Sequence, residues 1–191
     1  MLRYITFMTT QTHCIKYTVT ALLVTIGLAM PVQADPLDDL FADLARATEK
    51  TTPRLEGQIV ALWENSGSPS RDLLLRRGKD ALDAGTPDVA LDHYSALVDH
   101  APDFAAAYNG RATAYFILGL YGPALDDLRQ ALVLEPRHFG AMRGVAVILE
   151  NLDRTSEALD VYRAVLAIAP ASVDVRAAVD RLELDLKGRA L

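Results

Sequence analysis

The chain has 191 residues, 51% of them hydrophobic and 23% charged, enough to build one domain with a core and too apolar for compositional disorder. Aromatics are 7% while Ala and Leu abound, a mix that favours helix because both residues lose little freedom on entering one. Acidic residues outnumber basic ones, 25 to 19, and such a surface repels phosphate backbones and anionic lipid, which argues against a nucleic-acid partner.

Residues 1–34 have the three parts of a secretory signal peptide. Arg3 and Lys16 precede an apolar run, Val19 to Met30, then Pro31 and the small-residue site Val32-Gln33-Ala34. The run holds about a dozen apolar residues, short of the roughly 20 a membrane-spanning helix needs; an uncleaved anchor is the alternative. Translation could begin at Met1 or at Met8. Cleavage after Ala34 makes Asp35 the mature N-terminus, places the product in the periplasm or outside the cell, and leaves no membrane span. Losing Arg3 and Lys16 takes the 19 basic residues to 17 and the net charge to −8. The single cysteine, Cys14, goes with the signal and does not sit in a lipobox. The mature chain then has no thiol for a disulfide or for thiolate chemistry.

Two helices are expected next, Pro36 to Thr48 and Pro53 to Asn65. A connecting turn, Ser66-Gly67-Ser68-Pro69-Ser70, follows. From residue 71 the chain repeats itself. Pro102, Pro136 and Pro170 are 34 residues apart, and so are the triplets Ala90-Leu91-Asp92, Ala124-Leu125-Asp126 and Ala158-Leu159-Asp160. Four residues in phase three times mark a repeat architecture. The units span 71–104, 105–138 and 139–172, each with two helices. In the middle one, Phe104 to Gly119 carries Tyr108, Ala112, Tyr115 and Leu118 on one face. Gly119 to Pro123 turns the chain, and Pro123 to Leu134 forms the second helix, stopped by Pro136. Gly85-Thr86-Pro87 and Asp153-Arg154-Thr155 make the other turns, with Thr86 and Thr155 as N-caps. Residues 173–191 read as a last helix, capped by Ser172 and with Val175, Val179, Leu182 and Leu186 facing inward. Its polar outer face suits the end of a stack.

This pattern resembles the tetratricopeptide repeat. The middle unit carries the family's positions as Tyr108, Ala112, Tyr115, Ala124, Leu128, Ala131 and Pro136. The first has Leu74, Gly78, Ala81, Ala90, Tyr94 and Pro102. The third has Met142, Ala146, Leu149, Ala158, Tyr162 and Pro170. Small residues at Gly78, Ala90, Ala112 and Ala124 let paired helices approach closely. Arg77 and Arg111 depart from the family's usual Leu and are expected at the margin of the helix pair. The resemblance implies an all-α, right-handed α-solenoid of helix–turn–helix repeats with a C-terminal capping helix. Moving the frame back by 34 puts Leu44, Glu56 and Trp63 where Gly78, Ala90 and Leu97 stand, so residues 35–70 read as a degenerate repeat or N-terminal cap.

No catalytic motif is present: there is no Gly-x-Ser-x-Gly, no phosphate-binding Gly loop and no His-Glu-x-x-His. The chain is read as no enzyme, with no catalytic residue, cofactor or metal. His93 and His100 share a helix face, but Ala96 and Leu97 between them offer no ligand, so both read as solvated. His138 is placed in an inter-repeat turn and exposed. Asp92, Asp126 (beside Asp127) and Asp160 recur with the repeat, whereas an active site needs one copy. The resemblance places function in the concave groove lined by the first helix of each repeat, where a protein or peptide partner binds. The lining positions are Asp72, Leu75, Lys79 and Leu82, then Asn109, Thr113 and Phe116, then Arg143, Val147 and Glu150. Lys79, Asn109, Thr113, Phe116, Arg143, Val147 and Glu150 are the candidate contacts. The Lys, Asn and Arg set that clamps a terminal carboxylate in one subfamily is replaced here by Leu75, Lys79, Gly110, Gly140 and Gly144, which makes that mode a poor fit. The expected role is an adaptor or assembly factor. A self-associating envelope module is the alternative, using Leu37, Leu40, Phe41, Leu44 and Trp63 against a second copy.

Overall fold

A computed structural model describes residues 35–189, and the expected signal peptide lies outside them. Among the described residues there are nine α-helices and no strand. They are α1 (Pro36–Leu44), α2 (Thr52–Glu64), α3 (Pro69–Asp83), α4 (Pro87–His100), α5 (Ala105–Ile117), α6 (Tyr121–Leu134), α7 (Phe139–Asn151), α8 (Thr155–Ile168) and α9 (Val173–Arg189). Helices α3–α8 form three pairs, each second helix packs on the first helix of the next pair, and α9 closes the series against α8.

One device turns the chain inside every repeat. In the first, Gly85 takes a positive φ of 71°. Gly85 N–H then donates to the Leu82 carbonyl (3.0 Å) and Thr86 N–H to the Ala81 carbonyl (2.9 Å). This closure satisfies carbonyls that the helix end would otherwise leave open. Gly119 (φ 74°) repeats it with Phe116 and Tyr115, and Asp153 (φ 58°) with Glu150 and Leu149. The expected threonine caps are not made. Thr86 Oγ1 donates back to the Ala81 carbonyl (2.9 Å), and Thr155 is buried inside the first turn of α8, with Arg154 at the cap position. Helix α6 also begins earlier than Pro123, because Gly122 and Pro123 already belong to its first turn, where a missing N–H costs nothing.

The small residues allow the close approaches their spacing implied. Ala90, Ala124 and Ala158 are fully buried. The Tyr94 ring on α4 lies against Gly78 on α3 and Gly110 on α5. A Cβ would come within 2.6 Å of the ring at Gly78 and 2.5 Å of its Cζ at Gly110. Around Tyr94 sit Leu75, Ala81, Ala90 and Leu97, while Ala112, Ala124, Leu128, Ala131, Ala141 and Ile148 fill the next layer. Arg77 is exposed. Arg111 is not marginal: its Nε and Nη2 both bond the Asp127 carboxylate (2.7 and 2.8 Å), largely out of water.

The N-terminal pair departs from the repeat frame. Helices α1 and α2 pack on each other, but their buried side chains do not extend the stack beside α3. Phe41, Leu44, Leu55 and Ile59 share one apolar cluster with Phe139, Ala146 and Leu149 of α7, Tyr162 and Val165 of α8, and Val175, Val179 and Leu182 of α9. Residues 36–64 are thus a helical hairpin folded back onto the repeats rather than a repeat in line with them. The apolar set expected to meet a second copy is used inside the chain: Leu44 is fully buried, Phe41 nearly so, and Leu37, Leu40 and Trp63 pack against the same cluster.

Candidate partner groove

The first helices approach one another as neighbours, α3 to α5 and α5 to α7, and α2 reaches α5 from the same side. Tracing α2 along its length shows where it lies. Glu49, just ahead of it, pairs with Arg176 of α9 (2.8 Å). Glu56 accepts from Arg143 Nη2 of α7 (2.6 Å). Trp63 stacks on His138 at the start of α7, with ring centroids 4.4 Å apart, and donates through Nε1 to Glu135 at the end of α6 (3.3 Å). Glu64 receives Lys79 of α3 (2.8 Å). Helix α2 therefore crosses the inner face from α9 to α3, lying in the groove. Helix α1 adds Asp38 to Arg137 (2.8 Å), with that guanidinium 4.1 Å above the Phe41 ring.

Each of these four ion pairs has its acid on the hairpin and its base on the repeats. They are all at least partly exposed, and such pairs contribute about 0–1 kcal/mol each. Burying Phe41, Leu44, Leu55 and Ile59 is worth about 1.5–3 kcal/mol apiece. Apolar contact therefore holds the hairpin down, and charge selects which helix fits.

The sequence-derived contacts divide accordingly. Lys79 and Arg143 both meet the hairpin, and half-buried Val147 packs against its apolar cluster. Arg143 also donates to Ser172 Oγ (2.7 Å), which in turn donates to Asp174 (2.9 Å), so Ser172 organises the entry to α9 as part of a buried network. Glu150 is engaged within the chain: it accepts from Tyr162 Oη (2.8 Å) and Arg181 (2.7 Å), tying α7 to α8 and α9. Burial pushes its pKa up, and the hydrogen bonds from Arg181 and Tyr162 outweigh this and hold it below the usual carboxylate range. On α5, Thr113 is exposed and donates to the Asn109 carbonyl (3.0 Å), Asn109 is half-buried, and Phe116 stacks on Tyr121 (5.7 Å). Asp72 binds Ser66 and fixes the turn before α3, and Leu75 is buried.

Several working residues escaped the sequence reading. His138 is 4% exposed rather than solvated; its Nδ1 accepts from Ala141 N–H (3.1 Å) and caps α7. Burial pushes its pKa below the ordinary imidazole value, against the pull of Glu135 and Glu64. Arg137, Arg176 and Glu56 were also missed. A signal existed for Glu56 and Trp63, because both occupy positions where the repeat frame calls for small or aliphatic residues. No described helix is long and apolar enough to cross a membrane.

This arrangement, helix pairs stacked with small residues between them and an inner face of first helices, defines a helical-repeat protein of the tetratricopeptide type. Residues 75–126 and 118–173 match the tetratricopeptide repeat family, and the chain belongs to it. A TPR repeat-containing protein of Rhizobium etli is 33% identical over 153 residues, covering 80% of this chain and 75% of the relative. Among solved structures, the first TPR of Spaghetti, bound to the HSP90 peptide SRMEEVD, superposes with a TM-score of 0.59 at 24% identity, over 61% of this chain and 95% of that one. The MamA protein superposes with a TM-score of 0.55 at 18% identity, over 76% and 80%. Both likenesses concern the fold.

Proposed function

We propose that this chain is an exported, non-enzymatic binding protein that holds a segment of a protein partner against the inner face of its repeats, as an adaptor or assembly factor. The observation that carries this reading is the inner face itself: it holds a helix through Arg143 and Lys79 and through apolar contact, and that helix is supplied by the same chain. A similar fold, that of Spaghetti, was solved with a peptide bound, which supports a peptide-sized ligand here. Export rests on the signal-like residues 1–34, and N-terminal sequencing of the secreted protein tests it: a start at Asp35 is expected, and a membrane-bound chain starting at Met1 or Met8 would refute it.

The binding test needs a partner captured by crosslinking from the native envelope and titrated against variants. Phe116→Ala and Asn109→Ala, on the α5 stretch of the inner face, should weaken binding by about 1–2 kcal/mol each with helicity unchanged. His93→Ala, on α4, is the control. If only the His93 change weakens binding, the outer helices carry the function.

A further inference from the structure

We propose that the inner face selects an acidic amphipathic helix, and that the hairpin 36–64 is a resident occupant which such a helix from a partner displaces. The proposal rests on the binding reading above and names the chemistry of its ligand. Three observations carry it. First, the charge is one-sided: Asp38, Glu49, Glu56 and Glu64 all meet bases of the repeats, at 2.6–2.8 Å. Residues 35–65 hold seven acids and three bases, so a basic track runs through the inner face of a protein whose net charge is −6. Second, the two fully apolar-packed side chains at the centre of α2, Leu55 and Ile59, are four residues apart and both buried, with Val60 and Trp63 packing beside them; a separation of four is the spacing of one helix face. Third, the central pair is incomplete. Arg111 uses Nε and Nη2 together on Asp127, whereas Arg143 gives Glu56 only Nη2, and among the described residues its buried Nε has no hydrogen-bond partner. A carboxylate on a competing helix that took both donors would bind Arg143 better than Glu56 does. The resident hairpin then sets a threshold, since apparent affinity falls with the fraction of time the groove stands open.

Trp63 makes this measurable, because it is the only tryptophan in the chain and it stacks in the groove. The probe is a synthetic peptide of residues 36–65 carrying Trp63→Phe, so that only the intact protein emits. Adding it should shift Trp63 emission to the red in a saturable way while α-helical signal from the protein is kept. The same peptide with Glu49→Lys, Glu56→Lys and Glu64→Lys should bind about tenfold or more weaker. Glu56→Lys in the intact chain should loosen the hairpin and strengthen binding of the unaltered peptide by about tenfold. No red shift at saturating peptide overturns the proposal, and so does equal competition by the charge-reversed peptide. Should Glu56→Lys unfold the protein, hydrogen exchange on the unaltered chain decides. Amides of α1 and α2 opening ahead of α3–α8 support a displaceable occupant, and exchange of both sets together in one global step overturns it. A captured partner that binds without moving Trp63 would leave the adaptor reading standing and refute displacement.

Discussion

At the scale of single residues, close packing and burial decide the outcomes. Tyr94 fills the space that two missing side chains leave, so Gly110→Ala should force the ring or the backbone aside and lower stability by about 1–3 kcal/mol in chemical denaturation. An unchanged midpoint would mean that α4 and α5 leave room for a methyl group between Gly110 and the Tyr94 ring. Asp127→Ala leaves the Arg111 guanidinium without its carboxylate and should cost roughly 1.5–3 kcal/mol, while Asp126→Ala, at an exposed position, should stay within about 0.5 kcal/mol. Buried small residues such as Ala90 and Ala124 were legible from the 34-residue period. Asp127 was not, because its equivalents one repeat away are His93 and Val161, and periodicity cannot flag a residue that occurs once. His138 was hidden for a related reason. A histidine in a turn is ordinarily wet, and only the arrival of Trp63, distant in sequence, makes this one dry. Its depressed pKa has a sign: the folded state prefers neutral imidazole, so stability is full above the unfolded value near 6.5 and is lost as pH falls below it toward the folded value. Acidification through pH 6 should therefore weaken the hairpin dock, and His138→Asn, which keeps a capping group, should flatten that dependence. Equal pH profiles for the two proteins would contradict the assignment.

Among the helices, the repeats follow sequence closely, since helix pairs, turns and small-residue contacts are local or recur at a fixed distance. Ala124→Leu should overpack α5 against α6, cost about 1–3 kcal/mol, and destabilise the neighbouring repeats with it, because each repeat relies on the next. The turn at Asp153 differs from its two counterparts in lacking glycine. A left-handed conformation costs a side-chain-bearing residue roughly 1–2 kcal/mol, partly offset by the greater freedom glycine loses on folding. Asp153→Gly should accordingly stabilise the protein by about 0.5–1 kcal/mol, and a lower thermal midpoint would show that Asp153 makes a compensating contact. The pair α1–α2 was legible as two helices and misread in its place. The helix spans expected from its sequence match a repeat, although α1 ends at Leu44 rather than Thr48; its destination depends on Leu55, Ile59 and Glu56 meeting side chains up to 116 residues away in the chain, which no local pattern records.

For the described residues as a whole, the result is a repeat stack whose inner face is partly covered by its own N-terminal hairpin. The stack supplies the bases and the apolar floor; the hairpin supplies acids and one apolar helix face. Under the displacement proposed above, partner binding and hairpin docking compete for Arg143 and Lys79, so binding strength is set by both the ligand and the ease of release. The contact between Glu56 and Arg143, 87 residues apart in sequence, is the most direct witness to this arrangement, because a hairpin stacked in line with the repeats or extended into solvent would not make it. A double-mutant cycle on Glu56→Ala and Arg143→Ala, read by chemical denaturation of the intact chain, measures it. A coupling of about 0.5–1 kcal/mol is expected, with the Trp63 emission of each single variant shifted to the red. Strict additivity of the two substitutions, with Trp63 unmoved, would place α2 elsewhere.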